Sequence, residues 1–306
     1  MKMKAIRIEN LTKKYGDFTA VNNISFEVEA GSMLGFLGVN GAGKTTTINM
    51  ISTILTPDAG SANICGYTLG KQNMEIRKAI GVVYQANVLD NLLSVKDNLT
   101  LRAEIAGLAS ARIRSRLVEL SSLLKLEDIL NKKYGILSGG QKRRCEIALA
   151  LMHSPKILFL DEPTTGLDPA TRIDVWNAVG LLRKAEDMTV FLTTHYMEEA
   201  ANADKIIIID KGEIKAEGAP FKLKDTYAKD SLKLYFPAER EAQIRPAFER
   251  SDYKNTAYGA RVCLKNSMEA VSLVERVKDL IDGFEVIQGN MDDVFLNVTK
   301  EEEETA

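Results

Sequence analysis

Cysteine and histidine are scarce in this sequence of 306 residues, which has three cysteines and two histidines. Cys65, Cys145 and Cys263 lie far apart, and no two of them form a C-x-x-C pair. Three scattered cysteines without such a pair argue against a disulfide framework and against a zinc site. The low cysteine content therefore favours a protein of the reducing cytosol.

The net charge is also small, and long apolar runs are absent from the sequence. The formal net charge is -2 at pH 7, which gives no overall basic field to attract nucleic acid. The start of the chain, MKMKAIRIENLTKKYG, lacks the apolar stretch of a secretory signal. The apolar run IIIID at 206–210 is far shorter than the about 20 residues that a membrane-spanning helix needs. If the protein works at a membrane, we expect a partner to hold it there.

Apolar patterning predicts an α/β fold. Short apolar runs that resemble strands alternate with helical patterns, and this alternation predicts a parallel sheet. The stretch from about 95 to 133 is predicted to be a long helical insert, because apolar residues recur there at helical spacing. These residues are Ile113, Leu117, Leu120 and Leu124.

Length and patterning together predict two domains. A typical domain has about 100–200 residues, and this chain has 306. Beyond about residue 230 the strand and helix patterns become shorter and the charge becomes acidic, which predicts a small α+β domain. We therefore predict a main domain at 1–229 and a small C-terminal accessory domain at 230–306.

A glycine-rich loop follows the apolar run SMLGFLG. GVNGAGKTT at 38–46 fits the pattern G-x-x-x-x-G-K-[ST] through Gly38, Gly43, Lys44 and Thr45. Glycines let such a loop curl so that its backbone N–H groups face one anion, and the helix that follows adds its positive end. The loop therefore predicts a phosphate site in which Lys44 reaches the β- and γ-phosphates and Thr45 ligates Mg²⁺. The alternative, a plain glycine-rich turn, is disfavoured by the strand before it and the helix after it.

Further polar candidates stand at the ends of other apolar runs. Asp161 and Glu162 close ILFL, Gln85 follows GVVY, and His195 follows TVFLTT. The carboxyl ends of parallel strands face the ligand crevice, so these side chains should emerge beside the phosphate loop. Asp161 would then hold Mg²⁺, Glu162 would polarise the attacking water, and Gln85 would contact both. Taken alone, an Asp-Glu pair is more often a solvated strand end, and a lone histidine is more often structural, which is how we interpret His153.

Six motifs occur in a fixed order along the chain. They are GVNGAGKTT, Gln85, LSGGQ at 137–141, ILFLDEP at 157–163, GLDP at 166–169 and His195. In this order and at these intervals they closely resemble the ATP-binding subunits of ABC transporters over roughly residues 4–220. The resemblance implies an ABC-type P-loop nucleotide-binding domain with a helical subdomain at about 87–137. VVYQANVLDNLLSVKDNL and LFLDEPTTGLDPATR look most like the daunorubicin-resistance type of exporter ATPase, although Cys145 departs from that type.

The resemblance also implies cofactors and a role for each site residue. ATP and Mg²⁺ are the implied cofactors. The implied catalytic residues are Glu162, His195 and Gln85, and the implied Mg²⁺ ligands are Thr45, Gln85 and Asp161. The implied nucleotide-binding residues are Tyr15, Gly38, Val39, Asn40, Gly41, Ala42, Gly43, Lys44, Thr45, Thr46, Ser138, Gly139, Gly140, Gln141 and Asp168. Among them Tyr15 matches the aromatic residue that stacks on adenine, although an isolated aromatic residue is more often part of the packing.

The LSGGQ turn is a second anion site in a chain that already has one. In the ABC family two subunits pair head to tail, and each ATP lies between the phosphate loop of one subunit and LSGGQ of the other. Ser138 and the N–H groups of Gly139 and Gly140, at a helix N-terminus, suit a γ-phosphate that arrives on closure. The resemblance therefore implies a homodimer with two complete sites. It also implies a separate transmembrane permease, a location at the cytoplasmic face of the membrane, and transport in the direction of export.

Two alternatives remain open at this point. One is a soluble ABC-type ATPase that acts on nucleic acid or ribosomes, but such proteins usually carry a long coiled coil, a zinc insert or tandem cassettes. This chain has one cassette and no sustained heptads. The other is a nonenzymatic nucleotide-gated regulator, which loss of Glu162 or His195 would favour. Both residues are present.

Overall fold

The computed structural model describes residues 3–248 and 252–300, and the remainder of the predicted accessory domain lies outside them. The chain forms two compact units, Met1–Glu217 and Gly218–Ala306. No helix within the described ranges combines the length and the apolar character that a membrane span requires.

The first unit alternates strands and helices. Its strands are β1 (Lys4–Tyr15), β2 (Phe18–Glu29), β3 (Met33–Leu37), β4 (Ala59–Ile64), β5 (Tyr67–Thr68), β6 (Ile80–Val83), β7 (Ile157–Asp161), β8 (Thr189–Thr194), β9 (Lys205–Asp210) and β10 (Glu213–Gly218). Its helices are α1 (Lys44–Ile51), α2 (Asn73–Ala79), α3 (Val95–Ile105), α4 (Ser110–Leu123), α5 (Gly139–Leu151) and α6 (Pro169–Glu186). Short 3₁₀ turns lie at Glu127–Ile129, Tyr134–Ile136 and Met197–Asn202.

A sheet of order β10-β9-β3-β8-β7-β6 forms the centre of this unit. β3 pairs in parallel with β8 and β9, and β7 pairs in parallel with β6 and β8. Every residue of β3, β7 and β8 is buried, which explains why their sequences are continuous apolar runs instead of alternating ones. The predicted α/β fold with a parallel sheet is confirmed. Because the strands are parallel, the segments that follow β3, β6, β7 and β8 all emerge at one edge.

The first two strands lie in a separate antiparallel sheet of order β2-β1-β4-β5. The apolar runs KAIRIENL and NNISFEVEAG predict both strands but not this sheet, and the sequence patterns do not indicate β4 and β5. Only two residues, Gly16 and Asp17, connect β1 to β2, and a connection this short permits only antiparallel pairing. Gly16 has a φ of +59°, as such a tight turn requires. The hairpin places Tyr15 directly opposite Phe18.

The helical insert predicted from about 95 to 133 is confirmed, and it consists of the two helices α3 and α4 followed by a 3₁₀ turn. α3 begins at an N-cap in which the Ser94 side chain accepts a hydrogen bond from Asp97 N at 3.0 Å. It ends before Gly107, whose φ of +83° is incompatible with a continuing helix. The apolar residues predicted to share one face (Ile113, Leu117, Leu120 and Leu124) are all buried.

The second unit is a small antiparallel sheet with helices. It contains α7 (Pro220–Tyr227), β11 (Asp230–Tyr235), α8 (Glu241–Ile244), β12 (Tyr253–Thr256), β13 (Gly259–Leu264), α9 (Glu269–Val277), β14 (Gly283–Ile287) and α10 (Met291–Lys300), with 3₁₀ turns at Ala238–Arg240 and Arg245–Phe248. The strand order is β12-β13-β11-β14, and one face of the sheet packs on a core that includes Leu232, Val262 and Leu273.

This unit begins at Gly218, before residue 230, where the sequence places the start of the accessory domain. The physical reason lies in α7, which packs against α10. Asn297 Nδ2 donates to the carbonyl of Tyr227 at 2.6 Å, and Leu223 is buried. α7 therefore belongs structurally to the C-terminal part of the chain.

Candidate functional site

The phosphate loop connects β3 to α1 and follows an unusual backbone path. Gly41 and Gly43 have φ angles of +85° and +108°, which L side chains rarely adopt. A Cβ at Gly38 would lie 2.5 Å from the carbonyl oxygen of Ile209, and one at Gly43 would lie 2.6 Å from that of Ala20. These glycines are therefore required by the close approach of neighbouring backbone. α1 begins immediately afterwards at Lys44, so its N-terminus opens onto the loop.

Lys44 folds back over the loop and is only 4% exposed. Its Nζ donates to the carbonyls of Gly38 at 2.8 Å and Val39 at 3.1 Å. The same ammonium lies 3.2 Å from Oε1 of Glu162. The ammonium is thus held by the loop on one side and by a carboxylate from the end of β7 on the other.

Asp161 ends β7 and contacts the first turn of α1. Thr45 Oγ1 lies 3.1 Å from Asp161 Oδ2, and Thr193 of β8 donates its hydroxyl hydrogen to Oδ1. Asp161 is 3% exposed. The parallel register that pairs Asp161 with Thr193 thus fixes this carboxylate beside the hydroxyl of Thr45.

Glu162 is the residue on which the site converges. Its backbone is left-handed, with a φ of +47°, and its N–H donates to the carbonyl of Thr193 at 3.0 Å. Its Oε2 accepts from Gln85 Nε2 at 3.4 Å and from Thr165 Oγ1 at 3.2 Å. The Nδ1 atom of His195 lies 3.3 Å from the same oxygen. Side chains from four separate segments therefore surround one carboxylate.

The charge of Glu162 is set by opposing effects. Burial by itself raises the pKa of this carboxyl, because a charged group loses solvation in the interior. Lys44 and His195 act in the opposite direction and outweigh burial, so the net pKa lies below its ordinary value. Glu162 is consequently ionised at neutral pH, which a group that polarises water requires.

A cleft of about 350 Å³ lies over the phosphate loop. Lys44, Thr45 and Glu162 line its interior, and Tyr15 and Phe18 of the β1–β2 hairpin are exposed at its border. The remaining lining residues are Ala20, Asn40, Gly41, Gly43, Thr46 and Gln85. The cleft thus combines a cationic end with an aromatic one, as binding of a nucleotide requires.

The LSGGQ turn does not line this cleft. Ser138 is the N-cap of α5 and forms a capping box with Gln141, whose N–H donates to Ser138 Oγ at 3.3 Å while its Oε1 accepts from Ser138 N at 3.0 Å. A Cβ on Gly140 would overlap the methyl group of Thr171. Ser138 and Gly139 are exposed. The capped N-terminus of α5 is therefore accessible at the surface and lies outside the cleft over the phosphate loop.

Asp168 also stands away from the cleft, at the start of α6. It is the N-cap of that helix, and its carboxylate accepts from the N–H of Thr171 at 3.0 Å and from the Thr171 hydroxyl. These hydrogen bonds lower the pKa of Asp168. Thr171 is the residue that contacts Gly140, so α6 and the LSGGQ turn pack together.

Some residues of the candidate site were not predicted from the sequence. Phe18 could have been found, since it is an aromatic residue directly across a two-residue turn from Tyr15. Thr165 and Thr193 have no local signal, because their roles follow from register and from the turn after β7. His153 was interpreted as structural, and its Nε2 contacts the carbonyl of Ile80 at 2.8 Å.

Comparison with known proteins identifies the family. Residues 21–165 match the ABC transporter family model. The daunorubicin/doxorubicin resistance ATP-binding protein DrrA of Streptomyces peucetius is 37% identical over 309 residues, which cover 97% of this chain and 92% of that protein. Nod factor export ATP-binding protein I of Burkholderia orbicola is 36% identical over 307 residues, which cover 99% of both.

Solved structures agree with this match. CbiO1 from Clostridium perfringens, part of the ABC transporter complex cbiONQ, aligns with a TM-score of 0.67 and 29% identity over 72% of this chain and 90% of that one. A dimeric ATP-binding cassette in a post-hydrolysis state, bound to ADP and Pi, aligns with a TM-score of 0.64 and 28% identity over 70% of this chain and 98% of that one.

The chain belongs to the ATP-binding subunits of ABC transporters. It is an ATPase that binds and hydrolyses ATP and energises a membrane partner.

Proposed function

We propose that ATP is hydrolysed in the cleft over the phosphate loop, with Glu162 polarising the attacking water. One observation carries this proposal: Lys44, Gln85 and His195 all lie within 3.4 Å of the Glu162 carboxylate. Phosphoryl transfer asks the protein mainly to position groups and to stabilise charge. Glu162 would orient the water, and Gln85 and His195 would hold the carboxylate and contact the water or the γ-phosphate.

Nucleotide binding is assigned to the loop and to the hairpin. The N–H groups of the loop at 38–46 would cradle the phosphates, and Lys44 would reach the β- and γ-phosphates. Tyr15 would stack on the purine, with Phe18 beside it, since both aromatic side chains are exposed at the border of the cleft. A bound γ-phosphate would then compete with Glu162 for the ammonium of Lys44. Binding of ATP would thereby release Glu162 to act on water.

Mg²⁺ fits the residues beside the phosphate loop. The hydroxyl of Thr45 and the carboxylate of Asp161 lie 3.1 Å apart, and Mg²⁺ typically takes one or two protein oxygen ligands together with phosphate and water. No cluster of three or more histidine, cysteine or acidic side chains suited to a metal occurs among the described residues, so a resident ion held by protein ligands alone is not proposed. When bound, Mg²⁺ would neutralise charge on the β- and γ-phosphates. Thr45 and Asp161 would hold it, with Gln85 nearby.

We assign the LSGGQ turn to the ATP of a second subunit. The turn is exposed and lies outside the cleft of its own chain, and its capped helix N-terminus suits an anion. Asp168 caps α6 next to it and would contact the same nucleotide across the interface. Because this chain carries both halves of a site, a homodimer would contain two complete composite sites.

The proposed membrane partner is a separate permease subunit, and the proposed direction of transport is export. Support comes from relatives named for drug resistance and for Nod factor export, to which the match extends over nearly the whole chain. The protein would act peripherally at the cytoplasmic face of the membrane through that partner. We propose no role on nucleic acid, in keeping with the formal net charge of -2.

Substitution of the two central residues tests the proposed chemistry. Glu162→Gln should bind ATP and accumulate it unhydrolysed, whereas Lys44→Ala should lose nucleotide binding. Glu75→Gln, an exposed glutamate on α2, is the matched control and should behave as the parent does. Steady-state turnover by Glu162→Gln close to that of the parent would end the assignment of Glu162.

A further inference from the structure

The loop that carries Gln85, residues 84–89, is held at both ends by one turn of helix α5. At its start, Nη1 of Arg143 donates to the carbonyl of Tyr84. At its end, Oε1 of Glu146 accepts from the N–H of Val88 at 2.9 Å and from that of Leu89 at 3.2 Å. Arg143 and Glu146 are three residues apart, so they lie on one face of α5. We call this pair of residues the clip.

Arg143 also binds the segment that contains the candidate catalytic carboxylate. Its Nη2 donates to the carbonyls of Asp161 at 3.2 Å and Glu162 at 3.1 Å, and its Nε donates to that of Pro163. One guanidinium therefore joins the carboxyl end of β7 to the start of the Gln85 loop. The arginine is 4% exposed, and these hydrogen bonds all go to main-chain carbonyls, which fixes the position of the backbone.

Glu146 extends the clip toward the LSGGQ turn. Its Oε1 also accepts a hydrogen bond from the hydroxyl of Tyr134 at 2.8 Å. Tyr134 begins the 3₁₀ turn that leads into LSGGQ and is 1% exposed. Burial and the neighbouring Glu146 both raise the pKa of Tyr134, so its hydroxyl stays protonated and remains a donor. Three donors from two segments thus meet at one buried carboxylate oxygen.

The cost of this arrangement indicates more than packing. Burying two charged side chains is expensive, and apolar residues of similar volume often stabilise a fold equally well. Burial lowers the pKa of Arg143, while Glu146 and Asp161 favour its charged form. A guanidinium nevertheless remains charged in proteins, so the burial cost is present at every working pH. The two charged side chains form directional hydrogen bonds to specific backbone groups, which apolar side chains cannot do.

We propose that Arg143 and Glu146 are positioning residues that make the Gln85 loop, the Glu162 backbone and the LSGGQ turn move as one body. This inference rests on the proposed function, in which Gln85 and Glu162 serve the ATP of their own chain and LSGGQ serves that of the partner. The clip then connects the two nucleotide sites of a dimer. Binding at LSGGQ fixes α5, and α5 fixes the contact between Gln85 and Glu162 that is needed at the other site.

Kinetics of full-length variants test the clip. Glu146→Gln keeps an acceptor oxygen, whereas Glu146→Met has a similar length and no such acceptor. Arg143→Lys keeps the charge but cannot reach several carbonyls at once. Misplacing a catalytic group by about 1 Å can cost up to about 100-fold in rate. We therefore expect kcat to fall about tenfold or more in Glu146→Met and Arg143→Lys, with KM for ATP within about twofold of the parent.

The conservative and control variants should separate positioning from folding. Glu146→Gln should retain kcat within about twofold, because its carbonyl oxygen can accept the same hydrogen bonds. Arg144→Met is the matched control, since Arg144 also donates to main-chain carbonyls, those of Leu124 and Lys125, away from the site. It should leave kcat and the cooperativity of hydrolysis in ATP unchanged. Glu146→Met and Arg143→Lys should lower the Hill coefficient toward one, because the two sites would no longer be connected.

Hydrogen exchange provides a readout that does not depend on catalysis. The amides of Val88 and Leu89 should exchange faster in Glu146→Met than in the parent, and they should stay protected in Glu146→Gln. Equal protection in all three proteins would overturn the clip, even if Glu162 were shown to have no catalytic role. A change confined to the KM for ATP would overturn it as well. So would equal decreases in kcat in Glu146→Gln and Glu146→Met. If Glu146→Met fails to fold, Arg143→Lys and Glu146→Gln decide, and full activity in Arg143→Lys contradicts the proposal.

Discussion

Glu162 and Lys44 form a buried ion pair, with 3.2 Å between Oε1 and Nζ and side chains that are 8% and 4% exposed. The lysine that should meet the phosphates is therefore also the partner of the carboxylate that should act on water. Binding of a nucleotide must divide this ammonium between two anions. We propose that the pair thereby couples occupancy of the phosphate loop to the freedom of the Glu162 carboxylate.

Glu162→Gln should accordingly bind ATP at least as tightly as the parent. The substitution removes the anion that competes for Lys44, so we expect affinity to rise by up to about tenfold, which corresponds to about 1.4 kcal/mol. Equilibrium binding of a fluorescent ATP analogue to the full chain measures this directly. Markedly weaker binding by a folded Glu162→Gln protein would show that the pair does not compete with nucleotide.

Thr45 should set the Mg²⁺ requirement of the ATPase. Thr45→Ala removes the hydroxyl that lies 3.1 Å from Asp161, so we expect the Mg²⁺ concentration for half-maximal turnover to rise by about tenfold. Thr45→Ser retains the hydroxyl and is the control that should restore the parent value. Titration of turnover with Mg²⁺ at fixed ATP distinguishes them, and equal requirements in Ala and Ser variants would argue against Thr45 as a ligand.

The sequence predicted the elements of the site better than it predicted the clip. Lys44, Asp161, Glu162 and His195 follow buried strands of one parallel sheet, so their proximity is implied by local patterns and a general rule. Arg143 stands in the basic run KRR, where nothing local distinguishes it from its half-buried neighbours Lys142 and Arg144. Its burial results from the packing of α5 against loops that are distant in the chain.

Two details of the fold lie beyond what local sequence patterns predict. The predicted helical insert is divided into α3 and α4, because Gly107 has a positive φ and ends α3. The start of the second unit depends on α7, whose sequence PFKLKDTY does not reveal its packing partner. That partner is α10, near the other end of the chain, so the contact depends on tertiary packing and not on any local pattern.

Docking of a permease is expected beside the Gln85 loop. Leu92 is 77% exposed there, so it is an apolar side chain available for contact with a partner and not part of the core. Leu92→Asp should weaken co-purification with the permease while sparing ATPase activity of the isolated chain. Val118→Asp, at a 74% exposed position of α4, is the matched control. Undiminished co-purification by Leu92→Asp would place the docking surface elsewhere.

Truncation tests the boundary between the two units, and it also tests our hypothesis that the second unit strengthens the pairing of two subunits. A chain that ends at Glu217 should fold, bind ATP and dimerise less readily than the full chain. A chain that ends at Lys229 retains α7 without α10, so the buried Leu223 loses its cover. Trypsin should then cut rapidly at Lys222 or Lys224, which should be protected in the full chain. Insolubility of the shorter chain would show that the boundary is misplaced.

The central claim is that each ATP is held by the phosphate loop of one subunit and the LSGGQ turn of the other. The most direct measurement uses a heterodimer of a Lys44→Ala subunit and a Ser138→Arg subunit, isolated with two affinity tags. If LSGGQ acts across the interface, one composite site carries both defects and the other carries neither. Each mutant homodimer has a defect at both of its sites and serves as the control.

Occluded ATP per heterodimer is the quantity to measure, because coupled sites need not turn over singly. The account predicts one intact site, and therefore ATP trapping well above that of either mutant homodimer. If each LSGGQ turn served the nucleotide of its own chain, both sites of the heterodimer would be damaged. Trapping no greater than in the two homodimers, with both subunits folded and paired, would contradict the account.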